Sequence, residues 1–219
     1  MKKLIAIVSS LLFVTMISAS ANNLGFGITG AAHYIMADGT ETTRQSNQVN
    51  EGSHEELVAI PEVFLETFND DGFTLGISYI PTRDMGSESR TDTASATGRD
   101  GGTYKAEAEL EDVISVYADI PTGGSLFGYP IHGKVGVQRV TLATLESLNS
   151  GETYPNADLY GFTIGIGSKG DLPYGNNLYY KGEITYTDFE PYAGSGTAGN
   201  KVKANIEDLA AKFSVGYRF

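Results

Sequence analysis

The feature that most limits what this chain can fold into is a period-two alternation of side-chain character, sustained over eight separate segments. In the first, Leu24, Phe26, Ile28, Tyr34 and Met36 share one face, with Gly25, Gly27, Thr29 and His33 on the other. The second sets Leu57, Ala59, Val63 and Leu65 against Glu62 and Glu66, and the third sets Phe73, Leu75, Ile77 and Tyr79 against Thr74, Gly76 and Ser78. The fourth carries Ala106, Ala108, Leu110, Ile114, Val116, Ala118 and Ile120 opposite Lys105, Glu107, Glu109, Glu111, Ser115 and Asp119. Asp112 interrupts its apolar row, where a bulge or register change is expected. The fifth opposes Tyr129, Ile131, Val135 and Val137 to His132, Lys134, Gly136 and Gln138, and its pattern blurs after Arg139. The sixth alternates Tyr160, Phe162, Ile164 and Ile166 with glycine and Thr163, and the seventh Leu178, Tyr180, Ile184 and Tyr186 with Lys181, Glu183 and Thr185. The eighth ends the chain, with Leu209, Ala211, Phe213, Val215, Tyr217 and Phe219 opposite Asp208, Lys212, Ser214, Gly216 and Arg218. Successive side chains of a strand point to opposite faces, so each segment reads as a strand with one apolar and one polar or small face.

The connections decide between a soluble sandwich and a membrane barrel. Long polar stretches, near 38–54, 81–103, 143–157 and 188–201, alternate with short turns near 69–72, 121–124 and 169–173. Asp71-Gly72 supplies the positive φ that a tight hairpin needs. Sandwich strands are usually five or six residues long. These segments run to roughly 9–16 residues, and about 9–11 suffice to cross a hydrocarbon core at a tilt. Long loops at one end and short turns at the other are the habit of outer-membrane barrels. A closed ring leaves no unpaired edge in lipid. The expected fold is therefore all-β: a transmembrane, antiparallel, up-and-down barrel of eight strands, or of ten if a long loop conceals a hairpin. Aromatics near segment ends, Phe73, Tyr129 and Phe219 at one rim and Tyr34, Tyr104 and Tyr186 at the other, suit interfacial girdles.

The start of the chain reads as an export leader. Lys2 and Lys3 precede an apolar run from Leu4 to Ile17, and Ala19-Ser20-Ala21 offers small residues for cleavage after Ala21. The run is too short for a membrane-spanning helix, which needs about 20 residues. The expected division is a leader over 1–21 and a barrel over 22–219. The chain holds 27 acidic and 15 basic residues, a formal charge of −12, and losing Lys2 and Lys3 makes it more negative. Such a balance repels phosphate and argues against a nucleic-acid partner. With no cysteine, the chain uses neither disulfides nor thiol chemistry.

The polar faces point into the lumen of such a barrel. Eight strands leave an interior just wide enough for side chains, so mixed charges there should pair. The candidate lumen charges are Glu62, Glu66, Lys105, Glu107, Glu109, Lys134, Lys181, Glu183 and Lys212. A paired, closed polar core is the first expectation; inward glycines that keep space open leave a narrow path for small or hydrophobic solutes as the second. Enzyme chemistry is not expected. His33, His54 and His132 form no His-Glu-x-x-His motif, and His54-Glu55-Glu56 reads as a chance cluster. Acids of the long loops, Asp38, Glu41, Glu51, Asp84, Glu88, Asp92 and Asp100, lack calcium-loop spacing and are interleaved with Arg44, Arg83, Arg90 and Arg99. No cofactor or metal is expected.

The ending Phe213-Ser214-Val215-Gly216-Tyr217-Arg218-Phe219 resembles the C-terminal strand of bacterial outer-membrane proteins. With its alternation and leader, the chain resembles the small eight-stranded class, OmpX/Opa-like or OmpW-like. The resemblance implies an outer-membrane location with both termini periplasmic. It also implies that Phe213, Val215, Tyr217 and Phe219 are read by the barrel-assembly machinery, and that the partners are membrane lipid and lipopolysaccharide. A role in envelope structure, or in binding a host or matrix ligand through the loops, is the expectation that follows; a porin-like channel is the alternative.

Overall fold

A computed structural model describes residues 24–44, 47–92, 102–145, 153–173 and 177–219. The expected leader and its cleavage site at Ala21 lie outside them. The described residues form ten strands: β1 Leu24–Thr42, β2 Val49–Phe68, β3 Thr74–Ile80, β4 Arg83–Asp92, β5 Gly102–Leu126, β6 Tyr129–Thr144, β7 Ala157–Asp171, β8 Leu178–Phe189, β9 Tyr192–Ser195 and β10 Lys201–Arg218. All pairs are antiparallel, and β1 pairs with both β2 and β10, which closes the sheet. The ring has eight staves. β3 and β4 together make one stave and β8 and β9 another, each interrupted by a proline, Pro81 or Pro191. Proline has no N–H to give the ladder, so a strand breaks or bulges where it falls.

Three of the expected long loops are shorter than the sequence suggests. β1 runs on to Thr42 and β2 begins at Val49, and the two stay paired up to Thr42↔Val49, so most of the expected first loop is strand. β4 pairs with β5 as far as Asp92↔Gly102, and β9 occupies part of the last connection. Tyr104, expected at an interface, sits high in the β4–β5 hairpin opposite Arg90.

Polarity inverts along the barrel axis. In the half near the short turns, Phe26, Ile28, Val63, Leu65, Val135, Phe162, Ile164, Ile184 and Phe213 face outward and are exposed, while the lumen is polar. In the half near the long loops the lumen is apolar, packed with Ile35, Ile60, Ile80, Met85, Leu110, Val113, Val140, Leu142, Leu159, Phe189, Tyr192 and Ile206. The outward face there carries Asp38, Glu51, Glu55, Lys105 and Lys203. The first half is the pattern of a barrel in lipid; the second is that of a protein in water.

Three staves make the inversion by inserting a residue. In β5, Asp112 adopts φ 50 and the register with β6 shifts between Glu111 and Ile114. Leu110 therefore points in and Ile114 points out, although both are even-numbered members of one apolar row. The interruptions at Pro81 and Pro191 shift the phase in the same way: inward residues are Ser78 and Ile80 before Pro81 but Arg83 and Met85 after it. In β1, β2, β6, β7 and β10 the phase stays constant and the sequence itself changes faces. The blur after Arg139 is such a change, since Val135 faces out and Val140 faces in.

Outward tyrosines mark the level of inversion. Tyr34 donates to Glu55, and Tyr79 donates to Oδ1 of Asp112 at 2.9 Å. At the opposite rim Tyr129 packs edge-on against Tyr180, and Tyr217 against Phe219.

Candidate functional site

The site with the most chemistry is the polar half of the lumen, built by short inward steps from all eight staves. Nearest the short turns, Glu66 on β2 accepts from Tyr179 at 2.6 Å, from Lys181 at 2.7 Å and from Tyr117 at 2.8 Å. Beside it, Lys134 lies 3.0 Å from Oδ1 of Asp119 and 3.0 Å from Oε1 of Glu183. His132 Nε2 reaches Glu183 at 3.0 Å. One level up, Lys212 donates to Glu62 at 2.8 Å. At the top of the layer His33 Nδ1 lies 2.8 Å from Asp208, and Arg83 approaches the same carboxylate at 3.4 Å. The sequence sets Arg83 among loop charges; the break at Pro81 instead turns it inward, where it is buried. A buried charge left alone is costly, so pairing is the physical condition for this lumen to exist.

Aromatic rings fill what remains. The lysine ammoniums sit over rings, Lys134 at 3.5 Å from the centroid of Tyr117 and Lys181 at 4.3 Å from that of Phe64. The inward glycines do not leave open space. A Cβ at Gly25 would stand 2.6 Å from Oη of Tyr179, one at Gly161 would stand 2.8 Å from the Phe189 ring, and one at Gly216 would overlap the Tyr179 ring. Each glycine is a notch into which a neighbouring stave lays a ring. A cavity of about 20 Å³ bordered by Glu62, Ser115, Tyr117, Lys134, Gln138 and Lys212 persists, about the room of one water.

Asp119, His132 and Glu183 bring ligand atoms within 4.8 Å of one another, the residue types of a metal triad. Lys134 occupies the position between the two carboxylates, so the chain supplies this cation itself.

Of the nine charges expected in the lumen, Glu62, Glu66, Lys134, Lys181, Glu183 and Lys212 line it. Lys105, Glu107 and Glu109 do not. They lie on the outer face of β5 above the Asp112 bulge, where Lys105 pairs with Glu107. The bulge is the reason: it reverses which parity points inward. There, partial desolvation, with the carboxylates of Asp84, Glu111 and Glu107 close by, pushes the Glu109 carboxyl above its ordinary value. The sequence alone does not announce the apolar layer above the charges, although the change of face after Arg139 is its visible trace. Phe213, Val215, Tyr217 and Phe219 share the outward face of the last stave.

Closed ring, outward apolar belt and inward charges together define the architecture, and solved structures share it. OprG of Pseudomonas aeruginosa, an outer membrane protein, superposes with a TM-score of 0.52 at 15% identity, over 91% of this chain and 98% of that one. The chain has the fold of a small outer-membrane β-barrel. The outer membrane protein AlkL, solved in lipid bilayers, aligns with a TM-score of 0.51 at 10% identity over 92% of each chain. No family model and no curated protein matches the sequence.

Proposed function

We propose that this barrel sits in the bacterial outer membrane with both termini in the periplasm, closed to diffusion, and presents its water-facing half at the cell surface for interaction. The observation that carries the reading is the lumen, filled first by paired charges and rings and then by an apolar core. A strand extension with its own core holds surface groups rigidly, which suits recognition better than mobile loops would. Glu41 helps to tie that end together, accepting from Asn50 and Asn200 at 3.1 Å and from Tyr154 at 3.3 Å. A concavity of about 840 Å³ bordered by Asp38, Glu51, Ser53, Lys203 and Asn205 offers a polar docking surface there.

Planar-bilayer recording of the purified protein tests closure: no reproducible conductance is expected, and steady unitary currents would overturn the reading. An epitope inserted at Gly199 should be reached by antibody on intact cells and one at Gly72 should not. The reverse would invert the topology.

One observation favours a second reading, passage of small apolar solutes. β2 pairs with β3 only from Val63 to Phe68, and β4 pairs only with β5 among the described residues. A seam between β2 and β4 therefore borders the apolar half of the lumen. Uptake of an apolar dye into protein-loaded vesicles faster than into empty ones would support this route over the closed one.

A further inference from the structure

The β5–β6 hairpin is unlike the other two short turns. β2 and β3 join through Asn69-Asp70-Asp71-Gly72, and the end of β7 brings Lys169 and Asp171 to the β7–β8 hairpin, but no charged side chain occurs in residues 120–131. The last barrel pairs of β5 near the β2–β3 turn are Thr74↔Asp119 and Leu75↔Ala118. β5 continues past them through a bulge between Pro121 and Ser125, and closes with Leu126↔Tyr129. At the tip Phe127 takes φ 53 and Gly128 φ 84, a two-residue turn whose first position Asn, Asp or Gly fills with least strain. The chain instead places Phe127 there, 91% exposed, beside Leu126 at 58% and Tyr129 at 55%.

This patch continues the outward belt. Tyr129 stands in the outward row of β6 with Ile131 and Val135, and its ring meets that of outward Tyr180 at 6.2 Å between centroids. Leu126 is its direct cross-strand partner, so the two share a face. The bulge re-aims the hairpin end, as bulges at barrel rims do.

We propose that Leu126, Phe127 and Tyr129 form an anchor that inserts into the phospholipid leaflet at the short-turn rim and fixes the depth of the barrel; this rests on the reading of the chain as a membrane barrel. Its partner is the headgroup and acyl-chain boundary. Apolar rings lodge there roughly 5–10 Å deep, and aromatic residues favour that zone.

The chain has no tryptophan, so Phe127→Trp gives a single reporter. In phosphatidylcholine vesicles its emission should be blue-shifted, lost to lipids carrying a quencher near the top of the acyl chain, and little affected by aqueous iodide. Ile28→Trp, in the middle of the belt, should be quenched by labels deeper in the chain. If Ile28→Trp is quenched by lipid while Phe127→Trp is quenched by iodide alone, the anchor is overturned and the barrel stands. If neither responds to lipid quenchers, the membrane reading falls and the anchor with it.

Discussion

Lys134 and Glu183 hold Nζ and Oε1 3.0 Å apart, and the same ammonium stands 3.0 Å from Oδ1 of Asp119. One cation thus bridges two carboxylates that are otherwise enclosed, with His132 at their edge. Lys134→Met should destabilise the barrel by about 3–5 kcal/mol, because it removes the cation that two buried carboxylates share and leaves Glu183 to His132 and Asp119 to Lys181 at 3.9 Å. Urea titration of the folded protein in detergent, read by heat-modifiable gel mobility, measures it. Lys134→Ala should in addition become sensitive to zinc, since Asp119, His132 and Glu183 then surround an open position. A midpoint that rises with added zinc in the variant but not in the parent is the expected result.

The glycine notches make a second test. Gly216→Val would push aside Tyr179, whose hydroxyl donates to Glu66 at 2.6 Å. Overpacking of this kind typically costs about 1–3 kcal/mol. Gly30 faces out, and nothing lies within 4 Å of where a Cβ would stand. Gly30→Val should leave the unfolding midpoint unchanged within about 0.5 kcal/mol. Equal losses at the two positions would show that the glycines act through the backbone and not as notches.

The inversion of polarity predicts a contrast along one strand. Leu110 is fully enclosed and Ile114 is 47% exposed. Leu110→Ala should cost about 2–5 kcal/mol, as in a soluble core. Ile114→Ala should cost much less, because lipid fills the space that the lost atoms leave. Comparable destabilisation of both would contradict a lipid-facing Ile114.

Acidity should tighten the β4–β5 extension. The Glu109 carboxyl titrates above its ordinary value because of partial desolvation and the neighbouring Asp84. A folded pKa above the unfolded one means that Glu109 favours the folded state when protonated. That contribution is present in acid and is lost as pH rises through the folded pKa. Glu109→Gln should therefore slow exchange of the β4 amides at neutral pH, after correction for intrinsic rates. The difference should vanish as pH falls below the usual glutamate range, near 4.3.

Much of this architecture was legible because a barrel in lipid is a local rule repeated. Each stave must alternate, so Phe162, Ile164 and Ile166 declare the lipid face and Thr163 the lumen without knowledge of any partner. The pairing of Glu66 with Lys181 was not legible. The two are far apart in sequence, and the stagger that brings their staves to one level is a property of the closed ring.

By itself the sequence determined the ring of alternating staves, the lipid-facing rows and the polar character of the lower lumen. The tertiary structure decided where that pattern stops. Leu110 and Ile114 stand in one even-numbered row that Asp112 interrupts; the interruption marks where a register change can fall, but not that the two sides of it face opposite ways. The φ of 50 at Asp112 and the extra residue in register reverse the faces, placing Leu110 in a core and Lys105, Glu107 and Glu109 in water. The physical reason is that period two fixes which residues share a face only while the register holds. Bulges and prolines break the register at the level where the surroundings of the barrel change from lipid to water.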